Sequence, residues 1–407
     1  MASMAAAVSA KSQKYIDADF LYGARNYAPL PVVLERGRGA HVWDVDGKRY
    51  LDMLSAYSAL NQGHCHPRIA AAARAQLGKL TLTSRAYHNT LMGKFLKEVC
   101  AVTGMAKAIP MNSGSEGVET AIKAMRLWGY RRKDIAPNQA EIVVMRNNFH
   151  GRTTTIVGFS SDPDAYEGFG PATPGFIQVN YGSIEDLEAA ISQRTCGVLL
   201  EPIQGEAGVR IPPVGYLGRV RDVCSRKNVL LCADEIQTGL GRTGKMFAVE
   251  HEGVKPDLMI LGKALSGGYY PISAVAGRED VLSLFLPGTH GSTFGGNPLA
   301  SAIGLASLDV LKREKLPARA AKLGARFLEQ LKTLQDPRVL EVRGRGLLLA
   351  VEFKQPIAKD FCKALMKSGI LAKDTHLTTV RFAPPLVVSE AQLDAAFRVI
   401  QKTLANF

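Results

Sequence analysis

The chain has 407 residues, 46% hydrophobic and 21% charged, the balance of an ordinary folded protein, which excludes a disordered tail, a collagen or a coiled-coil rod. Its length exceeds what one hydrophobic core usually serves, so two or three domains are expected, and no apolar run is long enough to cross a bilayer as a helix. Fifty Lys plus Arg against 37 Asp plus Glu leave a net charge of +13, which suits anionic ligands without choosing among phosphates, carboxylates and nucleic acid.

The N-terminal stretch MASMAAAVSAKSQKYIDADF is rich in Ala and Ser, carries no Arg, and meets Asp17 and Asp19 early. A transit peptide is Arg-rich and poor in acids, and a secretory signal needs a longer apolar segment. A cytoplasmic location is therefore expected, or a mitochondrial one for a chain that has lost a presequence. The six cysteines form no CxxC pair and are too sparse for a disulfide framework, which agrees with a reducing compartment. Further on, HVWDVDGKRYLDM (41–53) reads as a strand pair turning at Asp46-Gly47. His64-Cys65-His66 has no second cluster at ligand spacing, so a loop before Pro67 is favoured over a metal site.

Asn112-Ser113-Gly114-Ser115-Glu116-Gly117 runs into a helical pattern with Val118, Ala121, Ile122 and Met125 on one face. Small residues at a helix start expose free N–H groups that can cradle a phosphate, although an ordinary cap has the same appearance. Four short runs follow that are apolar at every residue, 142–145, 196–200, 229–233 and 258–261. They read as strands covered on both faces, with helices over 184–191 and 214–227 between them. Such alternation predicts an α/β domain with a mostly parallel sheet, whose ligands gather beyond the carboxyl ends of its strands.

Chemistry-bearing residues sit at those ends. The first run leads to Phe149-His150-Gly151-Arg152, the third to Asp234-Glu235-Ile236-Gln237, and the fourth to Gly262-Lys263. An acid and an amine on consecutive strands face one crevice. Flanked by Leu261 and Ala264, Lys263 should be partly desolvated, the condition for a nucleophilic amine. Alone, Lys263 would read as a surface side chain and Asp234 as a turn cap. GLGRTGK (239–245) partly matches both a dinucleotide fingerprint and a P-loop, and fails both. Met246 stands where a magnesium-binding hydroxyl belongs, and two acids separate the glycines from the strand.

A second hydroxyl-rich turn spans 290–297 and includes Thr293. After Asn297-Pro298 a long helical stretch begins, followed by strand-like 346–353 and 378–382. Arg381, a cation embedded in the second of these, asks for an anionic partner. The last element opens with a Ser389-x-x-Gln392 capping box and sets Leu393, Phe397, Ile400 and Leu404 on one face. This is a smaller α+β layer. An amine able to form an imine, an acid on the next strand, an aromatic plate and a phosphate cradle together describe a pyridoxal phosphate site.

At this point the sequence resembles the class III (omega-amino acid) aminotransferases of fold-type I. The resemblance runs through NYAPLPVVLERGRGAHVWDVDG, SAYSALNQGHCHP, MNSGSEGVETAIK, NNFHGRT, LLEPIQGEAGV, ADEIQTGLGRTG, ILGKALSGGYYPISA, GSTFGGNPLA and VRFAPPL. It implies a large seven-stranded sheet domain (58–312) and a smaller α+β domain (313–407) against which an N-terminal segment (1–57) packs. It implies pyridoxal 5′-phosphate as cofactor, bonded to Lys263, with Asp234 on the pyridine nitrogen, Gln237 on the phenolic oxygen and Phe149 against the ring. Gly114 and Ser115 would bind the phosphate, and Thr293 would reach the phosphate of a second subunit, making a homodimer part of the site. Arg152 and Arg381 would take the carboxylates of 2-oxoglutarate. Within the family the branch acting on the δ-amine of ornithine is matched best, with N-acetylornithine and 4-aminobutyrate as alternative donors. Tyr27 and Tyr57 would then hold the α-end of ornithine, and Glu206 would cover Arg381 until 2-oxoglutarate arrives in a ping-pong cycle. Amino and 2-oxo acids are the expected partners. No recognition module supports nucleic-acid binding, and no metal is expected.

Overall fold

The computed structural model describes residues 8–407, so residues 1–7 of the Ala-rich stretch read above for a leader lie outside the described residues. Seven strands form the central sheet, in the spatial order Lys107–Met111, Ser273–Gly277, Leu258–Leu261, Leu230–Asp234, Thr195–Leu200, Glu141–Met145, Phe176–Val179. Only Ser273–Gly277 runs antiparallel to its neighbours. The four apolar runs are four of these strands. Side-chain alternation sends Val143, Val198, Leu231 and Met259 into one core and Ile142, Leu199, Cys232 and Ile260 into the other. Each fully buried side chain of this size contributes about 1.5–3 kcal/mol relative to exposure, which is why every position in these runs is apolar.

Three strands escape the sequence pattern, one of them the edge strand Phe176–Val179, whose Gln178 interrupts its apolar run. Ser273–Gly277 is composed of small residues, and Lys107–Met111 contains Pro110, which a sheet edge tolerates because its outer side needs no N–H. The helical stretch after Pro298 is two helices, Pro298–Arg313 and Leu316–Lys332, broken where Lys315 takes a left-handed φ of 51°. The last helix, Glu390–Ala405, has the expected capping box between Ser389 and Gln392. Leu393, Ile400 and Leu404 are buried on it and Phe397 is half-buried.

A second, antiparallel sheet orders Val339–Arg345, Leu348–Phe353, Thr379–Phe382 and Lys373–Thr375. The expected pair His41–Asp44 and Arg49–Asp52 turns at Gly47 (φ 81°) and continues into Ile370–Leu371, so the N-terminal residues pack against the C-terminal ones. No helix among the described residues is long and apolar enough to cross a membrane.

Candidate active site

Register explains why the strand ends converge. Asp234 pairs with Ile260 and Ala233 with Leu200, which places Glu201, Asp234 and Lys263 around one opening at the carboxyl edge. The cavity there is about 300 Å³ and also reaches Gly114, Phe149 and Glu206. Lys263 begins a short 3-10 turn, Lys263–Ser266, with a left-handed φ of 42° that an L-residue adopts only under constraint. Ser266 Oγ donates to its carbonyl at 2.8 Å. Its Nζ donates no hydrogen bond among the described residues. Burial lowers the lysine pKa, and the opposing pull of Glu206 is too small to restore it.

Asp234 is 4% exposed. Its Oδ1 accepts the Ile236 N–H at 3.0 Å and its Oδ2 lies 2.7 Å from His150 Nδ1. Burial disfavours the imidazolium, but the hydrogen bond and charge of Asp234, with Glu201 beyond, together raise the His150 pKa. The pair is therefore a charge-assisted contact. Sequence reasoning gave His150 no role; its position beside Phe149 was the available signal. Glu201, also unassigned, accepts the Phe149 N–H at 2.8 Å and so ties the aromatic residue to the neighbouring strand. Burial pushes its carboxyl up to about 7.

Gly114–Arg132 is the helix expected after the small-residue run. Ser113 caps it: Ser113 Oγ accepts the Glu116 N–H at 3.2 Å, while Glu116 Oε2 accepts the Ser113 N–H at 2.7 Å. The N–H groups of Gly114 and Ser115 remain without a partner among the described residues, on the wall that both line. With the helix dipole behind them they form an anion cradle. Gly151 (φ 130°) closes against it, since a Cβ there would come 2.1 Å from Ser115 Oγ.

Behind Glu206, which lines the cavity, Arg381 is 1% exposed, does not itself line it, and finds its anion. Its Nη1 donates to Glu206 Oε1 at 2.8 Å and to the Gly205 carbonyl at 3.0 Å. Gln237 Nε2 donates to the same Glu206 oxygen at 2.8 Å, so its amide engages a carboxylate in this structure. Burial raises the Glu206 pKa, yet Arg381 and Lys263 overcome this and hold it at about 2. This gives a pH prediction. A carboxyl ordinarily near 4.5 and held at about 2 when folded stabilises the fold above pH 4.5 and loses that contribution as pH falls through 2. The melting-temperature advantage of wild type over Glu206→Gln, without substrate, should shrink steadily below pH 4.5. A pH-independent difference would contradict it.

The Arg381 guanidinium also lies 5.3 Å from the centre of the Tyr57 ring. Tyr57 sits in a turn in which Ser55, Ala56, Tyr57 and Ser58 all have left-handed φ values, 52°, 46°, 60° and 72°. Each such L-residue costs about 1–2 kcal/mol, so the surroundings must enforce the turn. Asp52 Oδ1 does so by accepting the N–H groups of Leu54 and Ser55 at 2.8 and 2.9 Å. Arg152, exposed, lies over Phe149 at 5.8 Å, and Tyr27, 73% exposed, forms the outer wall. Thr293 is exposed and does not line this cavity. His64 and His66 pair with Asp52 and Glu314, and no metal-binding cluster occurs among the described residues.

Known proteins resemble this chain over nearly its whole length. The sequence profile of aminotransferase class-III matches residues 22–404. An ornithine aminotransferase from Exiguobacterium sp. (strain ATCC BAA-1283 / AT1b) is 51% identical over 395 residues, 97% of this chain and 98% of that protein. The crystal structure of the ornithine aminotransferase from Toxoplasma gondii ME49 superposes with a TM-score of 0.95 at 44% identity, covering 97% of this chain and 95% of that one. The acetylornithine aminotransferase from Elizabethkingia anophelis does so with a TM-score of 0.91 at 50% identity, covering 97% and 99%. The protein therefore belongs to the aminotransferase class-III family, enzymes that move amino groups with the aid of pyridoxal phosphate.

Proposed function

We propose that the protein moves the δ-amino group of L-ornithine to 2-oxoglutarate, giving glutamate 5-semialdehyde and glutamate. The observation that carries this reading is the Arg381–Glu206 pair with Tyr57 against the guanidinium. A substrate with one charged α-end and a diacid acceptor must share one cavity. An arginine covered by a movable carboxylate serves both, neutral toward the first and cationic toward the second. The curated relative with 51% identity, an ornithine aminotransferase, supports the choice of donor.

The residues present fit pyridoxal 5′-phosphate: an amine with a lowered pKa, two open N–H groups for a phosphate, and a buried carboxylate braced by His150. When bound, the cofactor supplies an aldehyde that accepts the amine and a ring that takes up electrons released at the substrate carbon. Gly114 and Ser115 would hold its phosphate, Phe149 would lie against its ring, and Asp234 would keep a proton on the ring nitrogen. Gln237 would take the ring oxygen in exchange for its bond to Glu206. The Lys263 amine, poorly solvated and with a lowered pKa, would hold and move the proton released at the substrate carbon. Tyr27 and Tyr57 hold the α-carboxylate and α-amine of ornithine, and Arg152 and Arg381 the two carboxylates of 2-oxoglutarate.

Thr293, outside its own cavity, is read as reaching the phosphate of a second subunit in a homodimer. We divide the chain at 58 and 313, and place the enzyme in the cytoplasm, where its six unpaired cysteines stay reduced.

Steady-state rates with ornithine, N-acetylornithine and 4-aminobutyrate test the reading, with ornithine expected to give the highest kcat/KM. Faster turnover of N-acetylornithine, the donor named for the Elizabethkingia neighbour, would overturn it. Tyr57→Ile removes a hydroxyl and a ring from the α-end of the site. It is expected to lower kcat/KM for ornithine about 10²-fold and to affect 4-aminobutyrate less, and equal losses would count against this role.

A further inference from the structure

The GLGRTG loop, which matched two nucleotide motifs and fitted neither, does not line the active-site cavity. It instead carries Arg242, whose side chain is 0% exposed. Burial lowers its pKa to about 9 against the weaker pull of Asp52, and among the described residues no carboxylate forms a contact ion pair with it. A buried cation with no carboxylate in contact is expensive and persists only where its donors do something that a neutral side chain cannot.

Those donors join three distant segments. Nη1 donates to the carbonyls of Leu347 at 2.9 Å and Pro384 at 2.6 Å. Nη2 donates to Asn61 Oδ1 at 2.6 Å and makes a long contact of 3.5 Å with Ser55 Oγ. The contact is reciprocated by the backbone, since the Leu347 N–H donates to the Arg242 carbonyl at 3.0 Å and Asn61 Nδ2 to that of Leu240 at 2.9 Å. Gly346 permits this approach, because a Cβ there would lie 2.3 Å from the Thr243 carbonyl carbon.

The segments tied are the ones that present Tyr57 and Arg381. Ser55 opens the left-handed turn containing Tyr57, and its hydroxyl donates to the Ala383 carbonyl at 2.5 Å. Pro384 lies three residues beyond Arg381. We propose that Arg242 is a positioning residue that fixes the spacing between the Tyr57 turn and the Arg381 strand, and through it the affinity for carboxylate-bearing substrates. This rests on the reading that Tyr57 and Arg381 hold substrate. A lysine cannot replace it, because one ammonium on a flexible stem does not reach acceptors on both sides.

The test uses Arg242→Lys and, because that variant could fold poorly, the milder Asn61→Ala, which removes one acceptor. With protein reconstituted with pyridoxamine 5′-phosphate, the KM for 2-oxoglutarate is expected to rise roughly 10- to 100-fold while the maximal rate falls less than about threefold. In the cofactor-free protein, hydrogen exchange at residues 53–61 is expected to quicken, with the melting transition still cooperative. An unchanged KM with unchanged exchange in both variants overturns the proposal. So does a loss shared equally between KM and maximal rate, which would mark a general distortion. Should Tyr57→Ile and Arg381→Ala leave KM unaltered, the substrate reading falls, and the exchange measurement still judges the link from Arg242 to the turn.

Discussion

Lys263→Ala is expected to lower kcat by at least about 10⁴-fold and to remove the absorbance band of the lysine-bound cofactor at the same time. Two properties of the residue combine in this. Its amine sits at the end of a fully buried strand, Leu258–Leu261, where burial lowers its pKa and makes the neutral form accessible. It also donates no hydrogen bond among the described residues, so its removal breaks none, and Glu206, which loses its pull, is still held by Arg381. The backbone at 263 has a left-handed φ of 42°, and alanine tolerates it no better than lysine does, so the fold should be little changed. Loss of turnover with an unaltered melting temperature in the cofactor-free protein is the expected pattern. Retained turnover, or a spectrum like that of wild type, would remove Lys263 from the chemistry.

Asp234→Asn should have the next largest effect, about 10²–10³-fold on kcat, the scale of removing one preorganised electrostatic contact from a dry site. Asparagine keeps the shape and the Ile236 N–H bond but carries no charge with which to keep a proton on a ring nitrogen. A second readout isolates the cause. In wild type the His150 pKa is raised above 6.5, because the hydrogen bond and charge of Asp234, helped by Glu201, outweigh burial. Removing the Asp234 charge leaves burial opposed chiefly by Glu201, so the imidazole should titrate lower than in wild type by NMR. An unshifted His150, or an unchanged kcat, would show that the 2.7 Å contact does not couple the two groups.

Much of this protein could be read before any coordinates. Strands buried on both faces must be apolar at every position, so 142–145, 196–200, 229–233 and 258–261 stand out, and the residues just beyond them are where a parallel sheet exposes ligand-binding groups. Asp234, Lys263, Phe149 and the Gly114-Ser115 cradle are legible for that reason, each lying within a few residues of a strand end or helix start. The edge strand with Pro110 and the small-residue strand Ser273–Gly277 were not, because their identity comes from neighbours and not from their own pattern.

What only tertiary structure decided concerns pairs far apart in the chain. Sequence identified Arg381 as a cation needing an anion. The family resemblance already named Glu206 for it, and what packing alone decided is that the Gln237 amide turns onto the same carboxylate. Packing also bent residues 55–58 into a left-handed turn that their side chains do not favour, and buried Arg242, for which its motif offered no role. The physical reason is common to all of these. Strand and helix propensity act over a few neighbouring residues, whereas desolvation, charge pairing and enforced backbone strain depend on which distant segments meet, and that is a property of the folded chain alone.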